Sequence, residues 1–181
     1  EKDLVFQGRV PLAVAEEIRK ISCTDQLRQE LGLVKKHKAE VLTIMDAAYP
    51  ALLKETVDSP VLLYIWGRIP EGNLTVALVG SRRASIYGVS MAEKFSVQLA
   101  EYGITVVSGL AKGIDTAAHR GVLKAKGKTI AVLGSGLANI YPKENEALAE
   151  AIAQSGAVIS EFPMAMGPLT HHFPRRNRII S

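Results

Sequence analysis

From residue 76 onward the chain repeats one unit: a short apolar run closed by small or polar residues. Val76–Val79 precedes Gly80-Ser81, Ile104–Val107 precedes Ser108-Gly109, Thr129–Leu133 precedes Gly134-Ser135-Gly136, and Ala157–Ile159 precedes Ser160-Glu161. Short, continuous apolar runs suit strands buried on both faces. Helical stretches from Gly88 to Tyr102, Asp115 to Lys126 and Lys143 to Gln154 separate them, with Val89, Ala92, Ser96 and Leu99 marking the inward face of the first. The alternation predicts an α/β fold, a parallel sheet with right-handed crossovers and helices on both faces. Parallel strands all point one way, so their C-terminal ends share one rim, where such folds build anion sites.

The upstream part is less regular. Leu12–Ile21 and Asp25–Leu33 read as helices, and Lys35, Lys36 and Lys38 with His37 read as a solvated charged face. Val41–Met45 reads as a short strand and Asp46–Lys54 as a turn and a helix broken at Pro50. Val61–Val79 reads as two strands of one sheet, a hairpin being one arrangement. Residues 1–40 are therefore taken as a helical N-terminal segment and 41–181 as the α/β domain.

With 181 residues, 48% of them apolar and 22% charged, the chain can bury a proper core. A net charge of +4 leans only mildly towards an anionic partner, so placement of the cations matters more than their sum. Cys23 is the single cysteine, which excludes an intrachain disulfide and a cysteine-based zinc site and fits a reducing compartment. No stretch reaches the roughly 18–20 apolar residues of a membrane span, and no signal-peptide pattern opens the chain. A cytoplasmic location without membrane association is expected. Glu1 is not a natural start, which fits a longer parent chain.

The rim carries the chemistry. Arg82 and Arg83 follow the Gly80-Ser81 turn, Lys112 lies in the loop Ser108 to Asp115, and Lys143 follows the third strand. Small residues let a ligand approach the backbone, and the cations suit phosphates. Asp115 reads as a helix N-cap or, less simply, an acid or base, and His119 one turn on as a surface or packing histidine. Gly134-Ser135-Gly136-Leu137-Ala138-Asn139 nearly matches a dinucleotide fingerprint, but Asn139 replaces the third glycine and Pro142 delays the helix. Adjacent His171 and His172 are badly spaced for chelation, so no metal is expected, and no cofactor is assigned. His172-Phe173-Pro174-Arg175-Arg176-Asn177-Arg178 reads either as a basic loop entering a helix at Ile179 or as a clamp: arginine for phosphate, amide for a base edge, aromatic for stacking.

Taken together, VGSRRASIYG (79–88), VVSGLAKGIDTAAHRGVL (106–123), AVLGSGLANIYPKEN (131–145), SEFP (160–163) and HFPRRNRIIS (172–181) resemble the DNA-processing protein A family, also called Smf. VLTIMDAAYPALLKE (41–55) and SPVLLYIWG (59–67) are similar to that family's lead-in. The resemblance implies a non-enzymatic domain, an extended Rossmann-like parallel sheet with helices on both faces, that binds single-stranded DNA, protects it during natural transformation and helps load the RecA recombinase. It assigns to the DNA-binding pocket Gly80, Ser81, Arg82 and Arg83, then Ser108, Gly109, Lys112, Gly113 and Asp115. Lys143, Asn145, Phe173, Arg175, Arg176, Asn177 and Arg178 complete the implied set. The family's domain continues past the stretch that ends here at Ser181, and its dimer and RecA contacts lie largely in that later part. Homodimerisation and RecA binding are thus expected of the full-length protein rather than of this chain, with a sheet edge left open. Residues 1–40 would be at most a remnant of the family's SAM-like helical module.

Two other classes stay open on the residues alone. One is a nucleotide-binding Rossmann-like enzyme acting on a nucleoside monophosphate, for which Asp115 or Glu161 would be the carboxylate. The other is a partner-binding scaffold with a vestigial pocket.

Overall fold

The structure, a computed structural model, describes residues 24–72 and 74–181. Its contacts divide the chain after Gly32 into two units. The described part of the first is the opening of helix α1 (Asp25–Lys36), where Thr24 Oγ1 accepts the Leu27 N–H at 3.2 Å. The helix expected at Leu12–Ile21 lies outside the described residues. Gly32 does not end α1, because Leu33 and Val34 beyond it pack against the core of the second unit.

That unit contains strands β1 (Ala39–Thr43), β2 (Leu62–Gly67), β3 (Thr75–Ala77), β4 (Thr105–Ser108), β5 (Thr129–Val132) and β6 (Ala157–Ser160). They form one sheet in the order β1-β2-β6-β5-β4-β3. The last four strands are mutually parallel, with Val76 opposite Val106 and Ile130 opposite Ala157, whereas β2 runs antiparallel to both β1 and β6. The sheet is therefore mixed: β2 is the one reversed strand beside the parallel block, and β1 beyond it runs with the block again. Val61–Val79 does hold two strands of one sheet, but not as a hairpin. Both edges of β2 are used, by β1 and β6, and the three-residue β3 takes the far edge beside β4.

Helices α3 (Ile86–Glu101), α4 (Ile114–Lys124) and α5 (Glu146–Ser155) make the crossovers, and a short helix, α2 (Ala51–Lys54), follows β1. Pro50 opens α2 instead of breaking it, which its fixed φ and missing N–H allow. Ser85 caps α3, accepting the Gly88 N–H at 3.1 Å, so the helix starts two residues before Gly88. Each crossover steps to the next strand in the same direction, and right-handedness then sends all three helices to one face. Burial agrees: Val106 packs with Ala118 and Val122 of α4, and Ala131, Leu133 and Val158 pack with Ala149 and Ile152 of α5.

The alternate residues Val107, Ile130, Val132 and Ile159 face the other way, with Leu63 and Ile65. Tyr49 and Leu53 cover them together with Ile179 and Ile180 of a last helix, α6 (His172–Ile180). The sequence pattern placed a loop through Pro174 here. Pro174 instead sits in the first turn of α6, where no N–H is needed, and the two isoleucines bury against the sheet. The arginine-rich stretch is thus helical.

Gly121 sets the α3–α4 spacing. A Cβ there would stand 2.4 Å from the Glu93 carbonyl oxygen and 2.9 Å from Ser96 Cβ. Helix propensity favours alanine over glycine by about 1 kcal/mol, whereas overpacking costs about 1–3 kcal/mol, and the contact here is backbone that cannot swing away. Gly121→Ala is expected to destabilise the fold by about 1–2 kcal/mol in urea unfolding.

Candidate nucleic-acid interface

The C-terminal ends of β3 to β6 open on one rim, and its loops are tied together from within. Asp115 is buried, and its Oδ2 accepts the N–H groups of Gly109 at 3.1 Å and Ala111 at 3.4 Å, with the Gly80 N–H also directed at it. Burial raises its carboxyl above the usual range against these N–H groups and the charge of Arg176. Asp115 is no N-cap, since Gly113 takes that place with φ 78°. Asn145 continues the lacing: its amide donates to the Leu110 carbonyl and to Thr116 Oγ1, both at 2.8 Å. Leu110 is held in the left-handed region (φ 57°) while fully buried, a conformation that persists only where surrounding contacts over-determine it.

Arg176 crosses from α6 into the same interior. Its guanidinium donates to the Gly109 carbonyl at 2.8 Å and, by a shorter bond, to the Val132 carbonyl. Any Cβ at Gly109 would stand 2.1 Å from that guanidinium, so the glycine makes room for the arginine. Arg178 is paired as well, with both Glu161 oxygens at 3.0 and 2.7 Å and with Asp58 at 2.9 Å. Arg175 also reaches Glu161, at 3.3 Å, but stays largely exposed.

What remains on the surface is a small cleft of about 50 Å³ lined by Arg82, Gly109, Ala111, Lys112, Tyr141, Pro142 and Phe173. The Arg82 guanidinium lies 4.9 Å from the Phe173 ring centre, and the Tyr141 ring is 5.8 Å from it at 56°. Phe173 in turn covers Gly134, where a Cβ would meet its ring at 2.9 Å. Arg82 and Arg83 are exposed and, among the described residues, pair with no carboxylate. Lys112 pairs with Glu144 at 2.6 Å and Lys143 with Glu146 at 2.8 Å, both in exposed positions where pairs exchange readily with salt or ligand. Ser81 Oγ accepts the Arg83 N–H, shaping the turn, and Ser108 Oγ donates inward to the Leu78 carbonyl. Asn177 is exposed on α6.

The structure thus gathers Arg82, Gly109, Lys112 and Phe173 at one cleft and sets Arg83 and Lys143 beside its lining residues in sequence. Asp115, Asn145, Arg176 and Arg178 are occupied in holding the loops and α6. Tyr141 lines the cleft without having been singled out. Its signal was an aromatic within the Tyr-Pro-Lys-Glu-Asn stretch, which charge alone does not flag. The near-fingerprint loop has no room for a pyrophosphate at Gly136, where a Cβ would be 2.0 Å from the Pro163 carbonyl oxygen and the N–H already bonds Met166 at 2.8 Å.

His119 is a core residue. Thr129 Oγ1 spends its proton on the Val106 carbonyl at 2.7 Å, so His119 Nδ1, 2.8 Å away, must be the donor to Thr129. Nε2 then carries the lone pair and has no protein partner. Burial, helped by the charge of Arg176, pulls its pKa from 6.5 to about 3.

A mostly parallel α/β sheet with crossover helices, its rim carrying exposed arginines beside an aromatic cleft, defines a domain of Rossmann type. Over residues 40–181 the sequence matches the model of the DNA recombination-mediator protein A family, and the chain belongs to that family, known as DprA or Smf. It is 47% identical over 140 residues to DNA processing protein DprA of Streptococcus pneumoniae, covering 77% of this chain and 49% of that protein. It is 45% identical over 135 residues to Protein Smf of Escherichia coli, covering 74% of this chain and 36% of that protein. The chain thus spans about half the length, or less, of these relatives. The solved S. pneumoniae DprA superposes with a TM-score of 0.77 at 41% identity, over 95% of this chain and 59% of that one. Helicobacter pylori DNA processing protein A, whose structure concerns its single-stranded DNA binding mode, gives 0.67 at 29% identity, over 79% and 64%.

His119 makes stability pH-dependent. Its folded pKa is depressed, so between about 3 and 6.5 the unfolded chain binds a proton that the folded chain does not, and stability falls as pH falls. Lowering the pH from 6.5 to 4.5 is expected to cost about 2–3 kcal/mol through this group. Asp115, raised, acts in the opposite sense as pH nears its range, because protonation relieves its burial. Urea titrations at the two pH values should show the loss in the native chain and a smaller one in His119→Gln.

Proposed function

We propose that this chain is a sequence-tolerant, non-enzymatic binder of single-stranded DNA, acting in the protection and recombination of incoming strands inside the cell. The supporting observation is the pairing of two uncommitted rim arginines with the Phe173–Tyr141 aromatic cleft, which offers charge to phosphates and a ring edge to a base. A family relative whose structure concerns single-stranded DNA binding fits this reading. Of the residues that the family resemblance assigns to the pocket, Phe173, Arg82, Arg83, Lys112 and Lys143 would touch the strand. Gly80, Ser81, Ser108, Gly109 and Gly113 would shape the turns beneath it. Asp115, Asn145, Arg176 and Arg178 would hold the rim, while Arg175 and Asn177 flank it on α6. For the full-length protein, homodimerisation and delivery of strands to RecA belong to the same proposal. So does the division into a helical segment at 1–40 and a DNA-binding domain at 41–181.

An enzyme acting on a nucleoside monophosphate is less well supported. Asp115 is turned to backbone N–H groups and Glu161 to Arg175 and Arg178, which leaves neither free for a scissile bond.

If Arg82, Arg83, Lys112 and Lys143 each neutralise one phosphate, log affinity should fall with log salt at a slope of about −3, at roughly 0.7 per phosphate on single strands. Arg82→Ala should lower the slope by about 0.7 and weaken dT, dC and mixed strands alike. Fluorescence anisotropy of labelled single and duplex strands across a salt series measures both. Equal affinity for duplex, or no salt dependence, overturns the proposal.

A further inference from the structure

At the opposite end of the parallel strands lies a larger cavity of about 380 Å³. Its place follows from register: Trp66 pairs with Ala39 on one side and Val158 on the other, next to Ala157, where β6 begins. The lining is Lys36, His37 and Lys38 from the α1–β1 turn, Trp66 from β2, and Glu150, Ala153 and Gln154 from α5. The turn is built rather than loose. His37 N–H bonds the Leu33 carbonyl at 2.9 Å, Lys38 N–H bonds Lys35 at 3.2 Å, and Lys38 takes a left-handed φ of 52°. Lys36 and Lys38 are exposed and, among the described residues, form no ion pair, while Trp66 is half-buried.

We propose that this cavity is a second contact for a single strand of nucleic acid, a site separate from the rim, and the proposal takes its ligand class from the reading above. One base stacks on the Trp66 indole, Lys36 and Lys38 hold the flanking phosphates, and Glu150 and Gln154 meet the base edge. A simple anion has no use for the indole, and an apolar ligand has none for two ammonium groups. A nucleotide uses both, and the cavity falls within the roughly 300–1,000 Å³ that single-ligand pockets occupy. The Glu150 carboxylate only accepts hydrogen bonds, so a base with an exocyclic amine suits it better than thymine. The site therefore prefers dC to dT.

Trp66 is the chain's single tryptophan, so its emission reports this cavity directly. The experiment titrates the chain with dC and dT tetramers, with tetraglutamate as a polyanion control, and follows a labelled 20-nucleotide strand separately by anisotropy. The dC tetramer is expected to quench Trp66 saturably and more tightly than the dT tetramer. Joint Lys36→Ala and Lys38→Ala substitution should weaken that quenching about tenfold, at moderate salt, by removing two phosphate contacts. Arg82→Ala should leave it within about twofold, as a distant, independent site, and Glu150→Gln should narrow the preference for dC. If the long strand binds but neither tetramer changes the emission, the cavity proposal fails and the rim stands. The same holds if tetraglutamate quenches as well as dC, or if quenching is lost in Arg82→Ala and kept in the lysine variant. If binding of the long strand is unchanged in Arg82→Ala and lost in the lysine variant while the dC tetramer still quenches, the rim reading fails and the cavity stands. If nothing binds, both fall.

Discussion

The Asp115 carboxylate is buried and, among the described residues, has no ion-pair partner; N–H groups from two separate turns balance its charge. Charge taken out of water is tolerated only when hydrogen bonds saturate it, and here that saturation fixes the Gly80 turn against the Gly109–Ala111 loop. Arg176 completes the arrangement from the opposite direction, giving its protons to carbonyls at the ends of β4 and β5. A carboxylate that collects amides and a guanidinium that collects carbonyls leave the rim's own backbone largely spoken for. The exposed side chains then stand on a floor already fixed, so a ligand binding there would cost little ordering entropy.

This separates the basic residues by task. Burial and partner decide it, not position in the sequence. Arg175, Arg176 and Arg178 stand on one helix within four residues, yet Arg176 turns to the sheet, Arg178 closes on Glu161 and Asp58, and Arg175 is the most solvated of the three. Successive helical residues are rotated by about 100°, so neighbouring arginines must face different surroundings. Arg82 and Arg83, on a turn without such neighbours, keep their charge available. Had all the cations at this rim been free, their mutual repulsion in a confined space would have worked against folding.

The rim was legible from the sequence because apolar runs ending in Gly and Ser admit few other arrangements, and parallel strands have to end together. Two things were hidden. Pro174 reads as a breaker in isolation, and only the burial of Ile179 and Ile180 shows that the helix starts before it; the roles of the arginines could not be separated without that helix. The pairing of β2 was equally hidden. Two short apolar runs joined by a turn look the same whether they pair with each other or, as here, part to serve opposite regions of the sheet. Tyr141 is not legible in the sequence, because a lone aromatic beside proline gains meaning only when Phe173, more than thirty residues later in the chain, comes within 5.8 Å.

The same topology ties the cleft to the core. With three crossovers sent to one face, the other face is left to α2 and α6 among the described elements, and α6 carries Phe173 at its start and the buried isoleucines at its end. The ring that lines the cleft is therefore placed by the packing that shields Val107, Ile130 and Val132 from water. Burying the two isoleucines stabilises the fold by roughly 3–6 kcal/mol together, against about 1–3 kcal/mol for a single aromatic contact with a base. The position of Phe173 is thus determined by the core, and a ligand meets a ring already in place. Loosening α6 from the sheet would disorder the cleft, even with every residue that lines it left unchanged.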